Sequence, residues 1–227
     1  MLATVGHTSC QAATLRELAL RHTTRTYHRG ETIRAEGQRS ESIYIVLDGW
    51  AEQHAQLRDG RSQVLAVYLP GQMCSADSFG EERLDGTLSA LTRLRLGEIE
   101  RDRFSAYISL YHDAAFELAA SQRLQSAIQR RWLMCLGQRS ALERIAHLMC
   151  ELFVRQRVSG QAREWSCPFP LTQQQIAKIC GLTQVHTNRV IQELRRRDLA
   201  VITRKQLRLI DFEALSATAL FDPSYLQ

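Results

Sequence analysis

The sequence predicts an α+β chain built from an N-terminal antiparallel β-roll, a long helix and a C-terminal winged helix-turn-helix. Three observations predict it. Short apolar runs separated by Gly-bearing turns fill residues 31–99. Apolar side chains then recur at helical spacing from Leu118 to Cys135. Finally, residues 172–196, TQQQIAKICGLTQVHTNRVIQELRR, spell two short helices and the turn between them.

In chain order, Leu15, Leu18, Ala19 and His22 stand at helical spacing and predict a short opening helix to about Tyr27. The period then changes to two. Apolar runs at 31–34, 43–47, 64–69, 88–91 and 94–99 are punctuated by Gly30, Gly37, Asp48-Gly49, Asp59-Gly60, Pro70-Gly71 and Asp85-Gly86. Closely spaced short strands with such turns indicate an antiparallel sandwich or barrel, which Trp50 and Tyr68 are expected to fill.

After Ile99 the pattern is helical, and Leu118, Ser121, Leu124, Ile128, Trp132 and Cys135 form one stripe that meets no breaker before Gly137. A helix of this length between a barrel and a helix-turn-helix suits a dimer seam carried by Leu118, Leu124, Ile128 and Trp132. Because Ser121 interrupts the heptad, packing of the helix on its own barrel is the competing reading. The expected division is 1–108 for the opening helix and roll, 109–138 for the long helix and 139–227 for the C-terminal domain.

Ser140 and Glu143 form a capping box that starts a helix carrying Leu142, Ile145, Ala146, Met149, Leu152 and Phe153 on one face. His147 lies on its flank without a second ligand at metal spacing, so it reads as structural. A connector follows, with a short edge strand at Trp165 to Cys167 limited by Pro168 and Pro170. Thr172 and Gln175 form a second capping box, and Ile176, Ala177 and Ile179 give that helix its apolar face. Gly181 suits a left-handed exit, and Thr183 is an N-cap for the next helix. That helix buries Val190, Ile191 and Leu194 and turns Gln184, His186, Asn188, Arg189 and Gln192 outward. Ala200–Thr203 and Leu207–Ile210 then read as a hairpin around Arg204-Lys205-Gln206, the wing.

Charge separates this motif from an ordinary helical hairpin. Residues 184–210 hold seven basic and two acidic side chains, an excess of five that equals the +5 net charge of the whole 227-residue chain. Concentrated positive charge beside outward Arg, Gln and Asn points to double-stranded DNA, since Arg pairs bidentately with guanine and Gln or Asn with adenine. In the wing, Arg204 and Lys205 are placed for phosphate. Six Cys stand at 10, 74, 135, 150, 167 and 180 without regular spacing, as in a reduced cytosolic protein. The first residues lack a basic and then apolar leader and no membrane span is visible, so a cytoplasmic protein is expected. A barrel enzyme of the cupin kind would need an HxH pair, and His28 and His54 stand far apart.

The order roll, long helix, winged helix-turn-helix resembles the CRP/FNR superfamily of bacterial transcription regulators from about residue 25 to 215. The motifs that carry the likeness are IYIVLDG at 43–49, the Pro70-Gly71 turn, RIA at 144–146 and LTQQQIAKICGLTQVHTNRVIQEL at 171–194. The resemblance implies a cyclic-nucleotide-binding-like roll that senses a signal, a dimerising helix, and a C-terminal domain that binds a two-fold symmetric operator and touches RNA polymerase. By position it implies phosphate contacts at Thr172, Gln174, Thr183 and His186 and base contacts at Gln184, Val185, Arg189 and Gln192. Where the cyclic-AMP sensor of the family has Arg and Glu, this chain has Gln184 and Val185, while the base-reading Arg is kept as Arg189.

The signal side departs further. Ser75-Ala76 replaces the family's Gly-Glu and Leu84-Asp85 replaces its phosphate-binding Arg-Ser, so an Asp stands where a phosphate would sit. The corresponding pocket residues are Cys74, Ser75, Arg83 and Asp85. They argue against cyclic AMP, although a regulator responsive to cyclic AMP or cyclic GMP remains the alternative. Only Cys10 lies near the N-terminus, against the family's iron-sulfur set, and no His closely follows Cys74, against haem. A thiol redox switch at Cys74 or Cys10 has no activating cation nearby in sequence apart from His7. A signal at the roll is expected to act by population shift, altering helix packing near Leu124 and Ile128 and so the separation of the two recognition helices.

Overall fold

The computed structural model describes residues 15–39, 41–74 and 83–226, which divide into two compact units, Met1–Ser126 and Ala127–Gln227. In the first unit, the helical residues 15–20 (α1) precede eight strands: β1 (Thr23–Tyr27), β2 (Thr32–Arg34), β3 (Ser42–Asp48), β4 (Ala51–Gln56), β5 (Ser62–Tyr68), β6 (Met73–Cys74), β7 (Thr87–Ala90) and β8 (Leu94–Glu100). They form two antiparallel sheets, ordered β1-β8-β3-β6 and β2-β7-β4-β5.

Strand alternation assigns the two cores. Ile43, Ile45 and Leu47 of β3 point to one side, where Leu15, Ala19, Phe104 and Leu118 cover them. Tyr44 and Val46 point to the other, among Ala66, Tyr68, Cys74, Leu88, Leu94 and Leu96. Both faces of β3 are therefore buried, as its unbroken apolar run requires. Gly97 permits α1 to close on β8, because a Cβ there would lie 2.6 Å from that of Ala19.

The opening helix does not reach Tyr27. It gives way to β1, whose residues pair with Glu98 to Leu94 of β8. The β-branched and aromatic sequence TTRTY, with an open strand edge to pair with, outweighs the helical spacing that Leu18 and His22 suggested.

Helix α2 (Arg101–Leu110) ends at an extended Tyr111, and α3 (His112–Gln138) follows. The division between the units falls inside α3. The stripe expected at a dimer seam is covered in part by the chain itself. Leu118 belongs to the roll's own core, Ile128 and Trp132 are buried within the chain, and Leu124 is half-buried. Periodicity identified the covered face of the helix without identifying its cover. The apolar side chains that α3 leaves exposed are Phe116 in the first unit and Leu133 and Met134 in the second.

The second unit contains α4 (Ala141–Val158), β9 (Ser166–Pro168), α5 (Gln173–Cys180), α6 (Gln184–Arg196), β10 (Ala200–Thr203), β11 (Gln206–Leu209), α7 (Phe212–Thr218) and a 3-10 turn at Pro223–Leu226. Its sheet has the order β10-β11-β9. The Ser140–Glu143 capping box starts α4, whose Ile145, Ala146, Leu148, Met149, Leu152 and Phe153 form the centre of the core.

An ionic cluster lies beneath that core. The fully buried Glu151 accepts from Trp132 Nε1 at 3.0 Å, Tyr225 Oη at 2.8 Å and Arg155 Nη1 at 3.2 Å. Because the Tyr225 hydroxyl gives its proton to Glu151, His147 Nε2, 3.4 Å from that oxygen, is assigned as the protonated nitrogen of a neutral ring. Burial, with Arg139 and Arg131 nearby, pulls the His147 pKa down to about 3. No helix among the described residues is long and apolar enough to cross a membrane.

Candidate nucleic-acid interface

The geometry of the interface begins with its caps. Thr172 Oγ1 accepts from Gln175 N at 3.2 Å while Gln175 Oε1 accepts from Thr172 N at 2.9 Å, which fixes the start of α5. Ile176, Ala177, Ile179 and Cys180 bury its inner face. Gly181 then leaves the helix at φ 62° and ψ 42°, a conformation that glycine adopts without a Cβ clash. Thr183 Oγ1 accepts from His186 N at 3.2 Å and starts α6. Neither helix has an acidic residue in its first turn, so the positive ends of both dipoles stay available to an anion.

Helix α6 buries Thr187, Val190 and Leu194. Ile191, expected inside, is half-buried, and Thr187 takes the inner place with its hydroxyl unpaired. Opposite them, Gln184, Val185, Asn188, Arg189 and Gln192 are all exposed. At about 100° per residue these five fall within an arc of roughly 140°. Among the described residues, the side chains of Gln184, Arg189 and Gln192 have no partner in the chain. His186 and Gln174 are exposed as well, as are Thr172 and Thr183 beyond their capping bonds.

The wing turn has two residues, since Thr203 pairs with Gln206. Arg204 and Lys205 occupy it at φ 49° and 62°, which makes it the type I′ turn that matches strand twist. Glycine or asparagine would sit there with less strain, so two cations are held at the tip against local preference. Lys205 O accepts from Phe169 N at 2.7 Å, anchoring the turn from behind and leaving both side chains exposed.

Not every cation counted in the sequence is available. Glu193 is clasped by Arg196 and by Arg197, the latter at 2.7 Å. The accessible charge therefore lies on Arg189, Arg195, Arg204, Lys205 and Arg208.

The side chains expected at an effector pocket are placed differently. Cys74 is buried, and burial pushes its thiol well above the ordinary range. Asp85 Oδ1 accepts from Gln53 Nε2 at 2.7 Å, and Gln53 Oε1 accepts from Tyr68 Oη at 2.8 Å, a chain that runs through the roll. Arg83 Nη1 donates to Gly37 O at 2.8 Å. The cation of the three is thus bonded to a carbonyl and the carboxylate to an amide. Of the other residues named on the signal side, Ser75, Cys10 and His7 lie outside the described residues. No group of three or more His, Cys, Asp or Glu among the described residues is arranged to hold a metal.

Sequence reasoning passed over Gln173, which the fold brings to α6: Asn188 Nδ2 donates to Gln173 Oε1 at 3.1 Å. Fifteen residues separate the two, and no local signal links them.

Comparison with known proteins agrees with this architecture. Residues 24–111 match the model of the cyclic nucleotide-binding domain, and residues 143–218 that of the Crp-like helix-turn-helix domain. The nitrogen fixation regulation protein FixK of Rhizobium meliloti (strain 1021) is 30% identical over 82% of this chain and 81% of its own length. The FixK protein of Bradyrhizobium diazoefficiens is also 30% identical, over 92% of this chain and 88% of its own. The structure of FixK2 from Bradyrhizobium japonicum superposes with a TM-score of 0.76 at 21% identity, covering 86% of this chain and 96% of that one.

Proposed function

The chain belongs to the CRP/FNR family of transcription regulators, and from that premise we propose that two copies of it bind a two-fold symmetric DNA operator, each placing α6 in the major groove. The family is one of DNA-binding regulators rather than enzymes. The observation that carries the reading is the exposed, unpaired face of Gln184, Arg189 and Gln192 beside the cationic wing. Arg189 suits guanine and the glutamines suit adenine, while Val185 offers an apolar contact such as a thymine methyl. Arg204, Lys205 and the starts of α5 and α6 suit phosphate. The exposed Phe116, Leu133 and Met134 of α3 give a second copy apolar surface to cover. RNA polymerase is the protein partner that membership of the family brings, and the cytoplasm is where such a regulator meets its DNA.

We also infer that the roll does not respond to a cyclic nucleotide. Support comes from the engagement of Arg83 by Gly37 and from the bond between Asp85 and Gln53. Burial of Cys74 supports a packing role over haem ligation or thiol switching. Titration calorimetry with cyclic AMP and cyclic GMP is expected to give no saturable heat.

Selection of duplexes from a random pool tests the principal reading. The expected product is a palindrome with half-sites about one helical turn apart, bound by a dimer with an affinity that falls steeply with salt. A monomer indifferent to every duplex at low ionic strength would overturn it.

A further inference from the structure

Of the five side chains on the outward arc of α6, Asn188 is the one held by another side chain of the protein. We propose that Gln173 positions Asn188 to read one adenine in each half-site, so that a residue of α5 sets part of the operator sequence. The inference rests on the DNA-binding reading above.

An exposed Asn turns easily, since the torsion that carries its amide is broad and nearly two-fold. Here Nδ2 donates to Gln173 Oε1 at 3.1 Å. That bond uses one of the two amide hydrogens. What remains is the second N–H and Oδ1, the donor and acceptor that adenine N7 and the N6 amino group require in the major groove. With the amide turned over, the exposed pair would meet those atoms in the wrong order. Gln173 thus supplies the orientation that Asn188 cannot impose on itself.

The support behind Gln173 is firm. It is the first residue of α5, directly after Thr172, whose capping box with Gln175 fixes the backbone at that point. Gln173 is itself half-buried, whereas Asn188 is exposed and lies within the arc of Gln184 and Gln192. An acceptor carried on the capped start of one helix therefore orients a base-reading amide on the next.

A phosphate contact by Gln173 is the competing role, and the two differ in what they change. Losing a phosphate contact made by a neutral side chain weakens binding to all sequences about equally. Losing an orienting bond instead relaxes preference at one base pair.

The test uses the full-length protein with Gln173→Leu, Gln173→Glu, Asn188→Ala and the double variant Gln173→Leu/Asn188→Ala. Each is put through duplex selection and then measured on the wild-type operator and its single base-pair variants. Asn188→Ala is expected to erase preference at one A·T pair per half-site, a discrimination of roughly 5- to 150-fold for a bidentate contact. Gln173→Leu should reduce preference at that same pair, and the double variant should be no worse there than Asn188→Ala alone. Gln173→Glu keeps the acceptor, so it should retain the preference while binding every duplex more weakly because of its charge.

Uniform weakening by Gln173→Leu with base preference unchanged would overturn the proposal, as would an Asn188→Ala protein with unchanged preference. Failure of the wild-type chain to select any motif would instead overturn the DNA-binding reading itself.

Discussion

The two units dispose of their polar groups in opposite ways. In the roll, the residues that family likeness places around a ligand are bonded to the protein: Arg83 to Gly37, Asp85 to Gln53, and Gln53 in turn to Tyr68. In the C-terminal unit, an ionic cluster around Glu151 lies inside while Gln184, Arg189 and Gln192 stand outside with no partner among the described residues. A hydrogen-bonding group already satisfied has little to offer a ligand, because exchanging one good partner for another yields little net free energy. The contrast sets polar side chains of the roll that are bonded to their own protein against a frame that presents an open surface.

The largest effect is expected at the frame. Arg155→Met leaves the buried Glu151 carboxylate without its cation, and urea denaturation should register a loss of about 3–5 kcal/mol. The double variant Arg155→Met/Glu151→Gln, which removes the charge and keeps an acceptor for Trp132 and Tyr225, should recover part of that loss, and failure to recover any would mean that packing, not charge, is responsible.

At the open surface, Arg189→Ala should weaken operator binding by roughly 5- to 150-fold, equal to about 1–3 kcal/mol, with no change in unfolding midpoint. In the roll, Gln53→Leu should do the reverse. It removes one bond from the Tyr68 hydroxyl and one from the Asp85 carboxylate, costing about 0.5–1.5 kcal/mol of stability, while the folded fraction binds operator normally. A ligand-dependent change in the DNA affinity of the Gln53 variant would break the comparison.

Acidity probes the frame again. His147 has its folded pKa lowered from 6.5 to about 3, so between those values the unfolded chain binds more protons than the native one. Stability conferred by the neutral ring is complete above about 6.5 and is lost as pH falls toward 3, by at most about 1.4 kcal/mol per pH unit. Urea midpoints from pH 5 to 7 should show this slope in the difference between wild type and His147→Leu, and parallel curves would refute it. Smallest of all in stability is Lys205→Gly: at φ 62° glycine relieves the turn, leaving stability within about 1 kcal/mol of the parent. Its salt slope for DNA binding should nonetheless fall by about one for each lysine lost.

What the sequence disclosed followed the range of the interaction. Both capping boxes, the left-handed Gly181 and the Thr183 N-cap are set by neighbours three or four residues apart, and all could be read directly. The apolar strands were legible for the same reason. Strand β4, AEQHAQ, was not, because its inward Gln53 is made tolerable by Tyr68 and Asp85, fifteen and thirty-two residues away. The stripe through Leu118 and Trp132 was correctly seen as buried, but nothing local says whether a helix faces its own chain or a second copy. Asp85 and Arg83 were likewise visible as residues, whereas their engagement with Gln53 and Gly37 arises only when strands assemble. Asn188 could be picked out as outward-facing, yet its hold on Gln173 depends on the angle between two helices.

All five thiols among the described residues are buried, Cys74 in the roll and Cys135, Cys150, Cys167 and Cys180 in the C-terminal unit, and burial raises the pKa of each. Alkylation must then wait for a local opening, so the modification rate at each site clocks the breathing of the segment around it. The chain carries intrinsic timers in both halves, and mass spectrometry of a timed alkylation series would rank which half yields first.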